Sequence, residues 1–359
     1  MYTYNNLFTE LISFPNLMRA AHNAQRGKKT KSNTARFNFF MEREIFQLQQ
    51  ELKDGTYQPG QYRSFYVYEP KARLISAAPY RDRVVHHALC RIIEPIFEQR
   101  FIYHSYACRV GKGTHRAMDK CQSFIQANRY VLKADVQKFF ESIDHEVLLN
   151  ILGRWVKDEK VIWLAGMIIS PQRRGERREE NNDLFFPLRD LGVSAVNKTT
   201  KGLPIGNLTS QFFANVYLNE LDYFVKFNLR EKYYIRYMDD FLIFGNDKTH
   251  LTYLKERISE FLSDKLKLRL HDKKSTVFST KDGVNFLGFH VFRNYRRIQK
   301  ENVKRFVRRM KQKAFEYQRG LISLPEITNS VQSWLTHLRH GNTYNLRKEI
   351  LPKLVFSRN

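Results

Sequence analysis

The stretch YYIRYMDDFLIFG, residues 233–245, decides how the rest of the 359-residue chain is read. Two apolar, β-rich arms flank an adjacent pair of carboxylates, Asp239 and Asp240, with no Gly, Pro or Asn to ease the turn. Short hairpins ordinarily turn on Asn-Gly or Asp-Gly, and two carboxylates at one tip repel each other. Something must offset that repulsion, and a divalent cation is the natural candidate. Successive strand side chains point to opposite faces, so one Asp can face such a site squarely while the other approaches from its edge.

A second acidic position lies about a hundred residues upstream, in KADVQKFFESIDHEVL (residues 133–148). Asp135 stands where an apolar strand (Val131, Leu132, Ala134, Val136) gives way to polar residues. Read alone, it serves equally well as a helix N-cap or as a ligand, and Phe139 and Phe140 after it suit a pocket wall. Read with Asp239 and Asp240, it completes a set. Three carboxylates at two strand ends can hold two Mg²⁺ about 3.5–4 Å apart, which activates an attacking oxygen and neutralises a leaving pyrophosphate.

The composition fits a chain that handles a polyanion. Lys and Arg number 61 against 36 Asp and Glu, a formal net charge of +25. Charge of that size opposes a compact fold unless something negative is bound, nucleic acid before acidic membrane. Hydrophobic content of 42% and aromatic content of 14% exclude a disordered chain. Cys90, Cys108 and Cys121 are odd in number and unclustered, which excludes a disulfide framework and fits a reducing compartment. With His104 and His115 between them they still lack the close pairs that zinc sites use. No basic leader precedes an apolar run at the N-terminus, and the apolar stretch 161–169 is far short of the ~20 residues that span a bilayer. The expectation is a cytoplasmic protein with no membrane partner.

Along the chain, residues 1–60 read as helical, with a basic interruption at 26–31 and a turn at Asp54-Gly55. Residues 62–74 alternate as half-buried strands do, and Asp82 reads as the cap of a helix carrying Val84, Val85, Ala88, Leu89, Ile92 and Ile93. A strand is expected at 130–136 and a charged, exposed insertion at 171–201. Helices follow at 207–227 and 250–262, then a short strand pair within 276–292. From Arg293 the chain reads as basic and helical, with Val303, Phe306, Val307, Met310 and Ala314 at helical spacing. The pattern predicts an α+β fold with an all-helical C-terminal unit.

These motifs, in their order, resemble the palm and fingers of a reverse transcriptase. The resemblance runs from about residue 62 to 292. It covers EPKARLISAAPYRDRVVHHAL (69–89), SYACRVGKGTHRAM (105–118), the Asp135 strand, KGLPIGNLTSQFFANVYLNELD (201–222), the YMDD hairpin, LHDKKSTVF (270–278) and VNFLGFHVF (284–292). It implies a right-hand polymerase with fingers, an RRM-like antiparallel palm sheet and a helical thumb. The implied domains are 1–127 (N-terminal region and fingers), 128–144 (palm), 145–200 (fingers and insertion), 201–294 (palm) and 295–359 (basic thumb).

The resemblance also implies roles. Asp135, Asp239 and Asp240 would be the metal triad, joined by the backbone of Val136, for two Mg²⁺ with Mn²⁺ as substitute. Lys274 matches the lysine that protonates the leaving pyrophosphate, with Lys273 beside it. Lys71 and Arg73 match the cations that hold the incoming triphosphate, across a shorter turn than many bacterial relatives have. Phe140 matches the aromatic gate against a ribose 2′-hydroxyl, or is plain core. Tyr237 and Met238 belong to the nucleic-acid face of the hairpin. Phe286, Leu287 and Gly288 match the primer grip. Arg109, Gly111 and Lys112 clamp template phosphates or form a plain basic turn. Residues 293–319 hold eleven basic residues and two acidic ones, so Lys304 and Arg308 would grip duplex backbone.

One motif narrows the resemblance. Where most reverse transcriptases carry a Gln before the Gly, this chain has Ile205 before Gly206, with Gln211 after Ser210. That combination resembles the enzymes of diversity-generating retroelements. Those copy a template-repeat RNA into cDNA with frequent errors opposite adenine. Ile205 either loosens the nascent pair by removing a polar constraint or is one packing residue. The implied partners are a structured template RNA, the cDNA/RNA duplex, dNTPs and a small accessory protein, oligomeric or acidic. The gene would be bacterial or phage-borne. A retron, abortive-infection or group II intron type, or a catalytically silent RNA-binding scaffold, are the alternatives.

Overall fold

The computed structural model describes residues 3–27, 32–68, 72–170 and 200–357. Four helices open the chain: α1 (Leu7–Leu11), α2 (Phe14–Ala24), α3 (Ser32–Phe39) and α4 (Met41–Lys53). Ser13 caps α2 by accepting the Asn16 amide at 3.3 Å, with Pro15 in the first turn. The hairpin β1 (Arg63–Val67) and β2 (Arg73–Ala77) follows, then α5 (Tyr80–Glu98). The half-buried strand expected over 62–74 is this hairpin, and β1 is exposed along its whole length among the described residues. Asp82 does not cap α5: Pro79 holds that position. Asp82 is buried in the first turn, where its carboxylate accepts from Tyr57 Oη at 2.9 Å and the Gly60 amide at 2.7 Å.

Next come α6 (Thr114–Ala127), β3 (Tyr130–Asp135), the single turn α7 (Phe139–Ser142), α8 (His145–Gly153) and α9 (Glu159–Ile169). Asp144 and Asp158 cap α8 and α9, accepting the Val147 amide at 3.2 Å and the Lys160 amide at 3.1 Å. The expected insertion lies, but for residues 200 and 201, outside the described residues. Then follow α10 (Leu208–Tyr223), β4 (Tyr234–Tyr237), β5 (Asp240–Gly245) and α11 (Lys248–Leu266).

The strand pair expected in 276–292 is in fact three strands, and a fourth lies beyond them. They are β6 (Thr276–Ser279), β7 (Val284–Phe286), β8 (Phe289–Val291) and β9 (Arg296–Ile298). The basic stretch therefore enters a strand first, since Arg296 to Ile298 pairs back onto β8 before any helix begins. Helices α12 (Lys300–Gln318), α13 (Leu324–Leu338) and α14 (Tyr344–Ile350) close the chain, and α13 starts on a Ser323–Glu326 capping box.

Two compact units emerge. One comprises Met1–Tyr103, Val136–Phe224 and Ile258–Leu270, the other His104–Asp135, Val225–Arg257 and His271–Asn359. The first is mainly helical, with Val84, Val85, Ala88 and Leu89 of α5 buried. The second carries a four-stranded antiparallel sheet of order β4-β5-β3-β6 and the small sheet β7-β8-β9. Its core joins Val131, Ile235, Leu242 and Phe244 of the large sheet to Met118, Cys121 and Phe124 of α6. Phe286 and Phe289 of the small sheet complete it. A separate cluster around Phe306, Met310 and Ile350 holds the three C-terminal helices. The fold is α+β.

Candidate active site

The second unit brings the three carboxylates together. In register, Asp135 at the end of β3 lies opposite Asp240 at the start of β5, and Tyr237 of β4 lies on its other side. The turn itself is Met238-Asp239, so Asp240 belongs to a strand and Asp239 to the tip. Met238 takes φ 54°, the left-handed region that an L side chain adopts only under constraint. The constraint is Arg236. Its side chain is fully buried, and its guanidinium donates to the Met238 carbonyl at 3.1 Å and to Ser105 Oγ at 3.1 Å.

Two lysines attend the carboxylates. Lys274 Nζ is ion-paired with Asp135. Lys133, two residues before Asp135 and so on the same face of β3, reaches to 3.9 Å of Asp240 Oδ1 and donates to the Asn285 carbonyl at 2.6 Å. Burial, the first cause, and then the charge of Asp135 push the Asp239 carboxyl up. Burial likewise raises Asp240 to about 6, against the opposing pull of Lys133. Asp240 Oδ1 is buried with no hydrogen-bond partner.

These features fit a hard divalent cation: carboxylate oxygens, mutual repulsion and an unsatisfied buried oxygen. Among the described residues no group of three or more His, Cys, Asp or Glu side chains is already placed to hold a metal ion. Lysine ammonium groups stand against two of the three carboxylates instead.

The other sequence-derived positions divide between the units. In the second, Tyr237 Oη is 3.1 Å from Thr114 Oγ1. Arg109 donates to the Ser105 carbonyl at 2.9 Å, and Lys112 lies over the Tyr106 ring. Phe286 is 1% exposed and belongs to the core. Leu287 and Gly288 form the two-residue turn between β7 and β8, with φ of 48° and 88°. The Gly288 carbonyl accepts from the Gln299 amide at 3.1 Å and from Asn302 Nδ2 at 2.9 Å. Lys304 and Arg308 are exposed on α12.

In the first unit, Arg73 opens β2 and is exposed, while Lys71 lies outside the described residues. Ile205 and Gly206 sit against β2. The Ile205 carbonyl accepts the Ser76 amide at 2.8 Å, and a Cβ on Gly206 would lie 2.7 Å from Ile75 Cγ2. Asn207 fastens the same loop, donating to the Ser76 carbonyl at 3.0 Å and accepting from the Ala78 amide at 3.2 Å. Phe139 is core and Phe140 half-buried, and the Phe140 carbonyl accepts the Leu203 amide at 2.7 Å. Val136 is buried and bridges to Leu270.

Sequence reasoning missed Lys133 and Arg236. The first was within reach, because strand alternation puts residues 133 and 135 on one face.

Comparison with known proteins agrees with this geometry. Residues 64–291 match the family described as reverse transcriptase (RNA-dependent DNA polymerase). The chain is 24% identical to the group II intron-encoded protein LtrA of Lactococcus lactis subsp. cremoris, over 80% of this chain and 57% of that protein. It is 25% identical to protein YkfC of Escherichia coli (strain K12), over 68% of this chain and 70% of that one. The putative COX1/OXI3 intron 2 protein of Saccharomyces cerevisiae is 24% identical over 64% of this chain and 32% of its own length. The chain thus spans little more than half the length of LtrA. No helix among the described residues is long and apolar enough to cross a membrane. With a match over more than half its length, the chain belongs to the reverse transcriptase (RNA-dependent DNA polymerase) family.

Proposed function

We propose that the chain is an RNA-directed DNA polymerase that extends a DNA primer on an RNA template. The observation that carries this reading is the in-register pair Asp135 and Asp240 beside the Asp239 turn, three carboxylates at one end of an antiparallel sheet. Asp135, Asp239 and Asp240, with the Val136 backbone, would hold Mg²⁺ or Mn²⁺. Bound there, the ions supply positive charge to an attacking 3′-oxygen and to the departing pyrophosphate.

The chain's own groups do the rest. Lys274, ion-paired with Asp135, is placed to serve a leaving group. Arg73 offers a guanidinium to the triphosphate, with Lys71 as its sequence companion. Phe140, half-buried behind the buried Phe139, supplies an edge against a 2′-hydroxyl. Arg236 positions the Met238 carbonyl and so the carboxylate that follows it.

Within the family we assign the chain to diversity-generating retroelements, on Ile205 in place of Gln. Its substrates would be dNTPs and a structured template RNA, with a small accessory protein as partner. The group II intron type is the second reading, favoured by the names of the similar proteins.

Primer extension on RNA with dNTPs and Mg²⁺, followed by cDNA sequencing, tests both levels. The polymerase reading requires cDNA from the wild type and none from Asp239→Ala/Asp240→Ala. The retroelement assignment requires errors concentrated opposite adenine that diminish in Ile205→Gln. Errors unchanged by that substitution would remove Ile205 as the basis of the assignment.

A further inference from the structure

Lys133 is a charged residue inside a sheet, and the fold fixes it at both ends of its side chain. Its backbone lies opposite Leu242 of β5 and Thr276 of β6, so β3 is paired along both edges at this point. Its ammonium donates to the Asn285 carbonyl at 2.6 Å. That carbonyl is held in turn, because Val284 and Phe286 on either side of Asn285 are buried in the core. From this anchor Nζ stops 3.9 Å from Asp240 Oδ1, too far for a hydrogen bond. The oxygen it approaches is buried and has no hydrogen-bond partner.

Lys274 is placed differently. It is ion-paired directly with Asp135, and its side chain is 42% exposed against 23% for Lys133. Lys274 takes a carboxylate oxygen and has solvent to swing into. Lys133 supplies charge, leaves the lone pairs of Asp240 Oδ1 open and is tethered where it stands. A lone divalent ion accepted by Asp240 therefore meets an ammonium that does not leave, and like charges in a partly buried site repel. Two ammoniums already answer two of the three carboxylates, so a lone ion turns the cluster positive. An ion that arrives with a triphosphate brings the opposite charge with it. The ammonium that disfavours the ion alone thus favours ion and polyanion together, and such a coupling is reciprocal.

We propose that Lys133 is a positioning residue that makes divalent-cation binding at Asp240 conditional on a triphosphate. The identity of that triphosphate rests on the polymerase reading, whereas the effect on the cation does not. Lys133 acts through Asp240 and touches no reacting atom. Its role is to keep the acidic tip from being filled before the substrate is there.

The test follows Mn²⁺ binding to the full-length chain by the electron paramagnetic resonance signal of the free ion, without nucleic acid or nucleotide. Lys133→Met keeps the aliphatic stem and removes the ammonium. It should bind Mn²⁺ about fivefold tighter than the wild type. In EDTA it should melt at a lower temperature, because the carboxylates then repel with one ammonium fewer. Lys133→Arg keeps the charge and a donor for the Asn285 carbonyl, and should stay within about twofold of wild-type Mn²⁺ affinity. Adding Asp240→Asn to Lys133→Met should remove the gain. In single-nucleotide addition, the free Mg²⁺ needed for half-maximal rate should fall as dNTP is raised in the wild type, and change much less in Lys133→Met. A merely structural lysine would lose melting temperature and Mn²⁺ affinity together. That result overturns the proposal, as does Mn²⁺ affinity that Lys133→Met leaves unchanged or that is undetectable in both proteins. Lys133→Arg behaving like Lys133→Met overturns it too. Tighter Mn²⁺ binding by Lys133→Met in a chain that extends no primer sinks the polymerase reading alone. Unchanged binding in a chain that extends primers sinks the role of Lys133 alone.

Discussion

The second unit contains two hairpins with two-residue turns, and they reach unusual backbone geometry by different routes. In Tyr237-Met238-Asp239-Asp240 the left-handed residue is Met238, and Asp239 follows with φ outside that region. In Phe286-Leu287-Gly288-Phe289 both turn residues have positive φ, and glycine takes the second place. The acidic turn is held from inside by the fully buried Arg236. The apolar turn is held from outside, by Gln299 and Asn302 at the start of α12. The acidic turn has its restraint sequestered from water, whereas the apolar turn is braced by a neighbouring helix.

The largest expected effect separates chemistry from support. Asp240→Asn keeps the shape of the first hairpin and removes one carboxylate. Primer extension should fall by about a thousandfold or more, the scale of several kcal/mol of lost transition-state charge stabilisation. Stability in EDTA should not fall, because the variant relieves repulsion between Asp240 and Asp135. An equal loss from an apolar change in the second hairpin would show that the two turns do not differ in kind.

Arg236→Lys probes the internal brace. Lysine keeps the charge but cannot reach both the Met238 carbonyl and the Ser105 hydroxyl as the guanidinium fork does. We expect about 2 kcal/mol lost in denaturant unfolding, from buried groups left unpaired. The kcat for single-nucleotide addition should drop about tenfold with little change in duplex KM. A rise in KM alone would mean that Arg236 braces a binding surface rather than the reacting groups.

How much of this could be read beforehand depends on which rule each residue obeys. Asp239 and Asp240 announced themselves by breaking the turn-residue rule, and Asp135 by ending an apolar strand. Arg236 gave no such signal, since a charged residue in a strand is ordinarily a solvent-facing one and only tertiary packing encloses it. The basic run at Arg296-Arg297 read as helix because charge pattern dominates a short segment, yet pairing with β8 decides its backbone. Phe286 fitted a grip motif, but alternation across β7 sends its ring to the core. On α12 the apolar phase was legible from Phe306 and Met310.

The external brace should respond more weakly. Gly288→Ala places a Cβ 2.6 Å from Asn302 Nδ2 at a φ of 88°, so both the strain and the contact oppose it. The expected cost is about 1 kcal/mol, with extension rate reduced about threefold. Asn302→Ala in the same chain should relieve the contact but not the strain. A double-mutant cycle should therefore show coupling of about 0.5–1 kcal/mol. Strict additivity would mean that α12 does not brace this turn.

The smallest effect is a pH dependence confined to the first hairpin. The His104 carbonyl accepts the Arg236 amide at 3.0 Å, and its ring Nδ1 lies 3.1 Å from Tyr106 Oη. Burial, followed by Lys120, Lys226 and Lys112, lowers the imidazole to about 4. A folded value below the unfolded one, about 6.5, means that its stability contribution is complete above pH 6.5. It drains away as pH falls toward 4, because the unfolded chain takes up the proton first. Allowing for the partial exposure of the ring, the wild type should lose about 1 kcal/mol more than His104→Gln between pH 7.5 and 5. Thermal melts of the two proteins at both pH values measure that difference. Equal losses would show that protonation at His104 leaves the Arg236 brace untouched, and that the acidic hairpin is insulated from this turn.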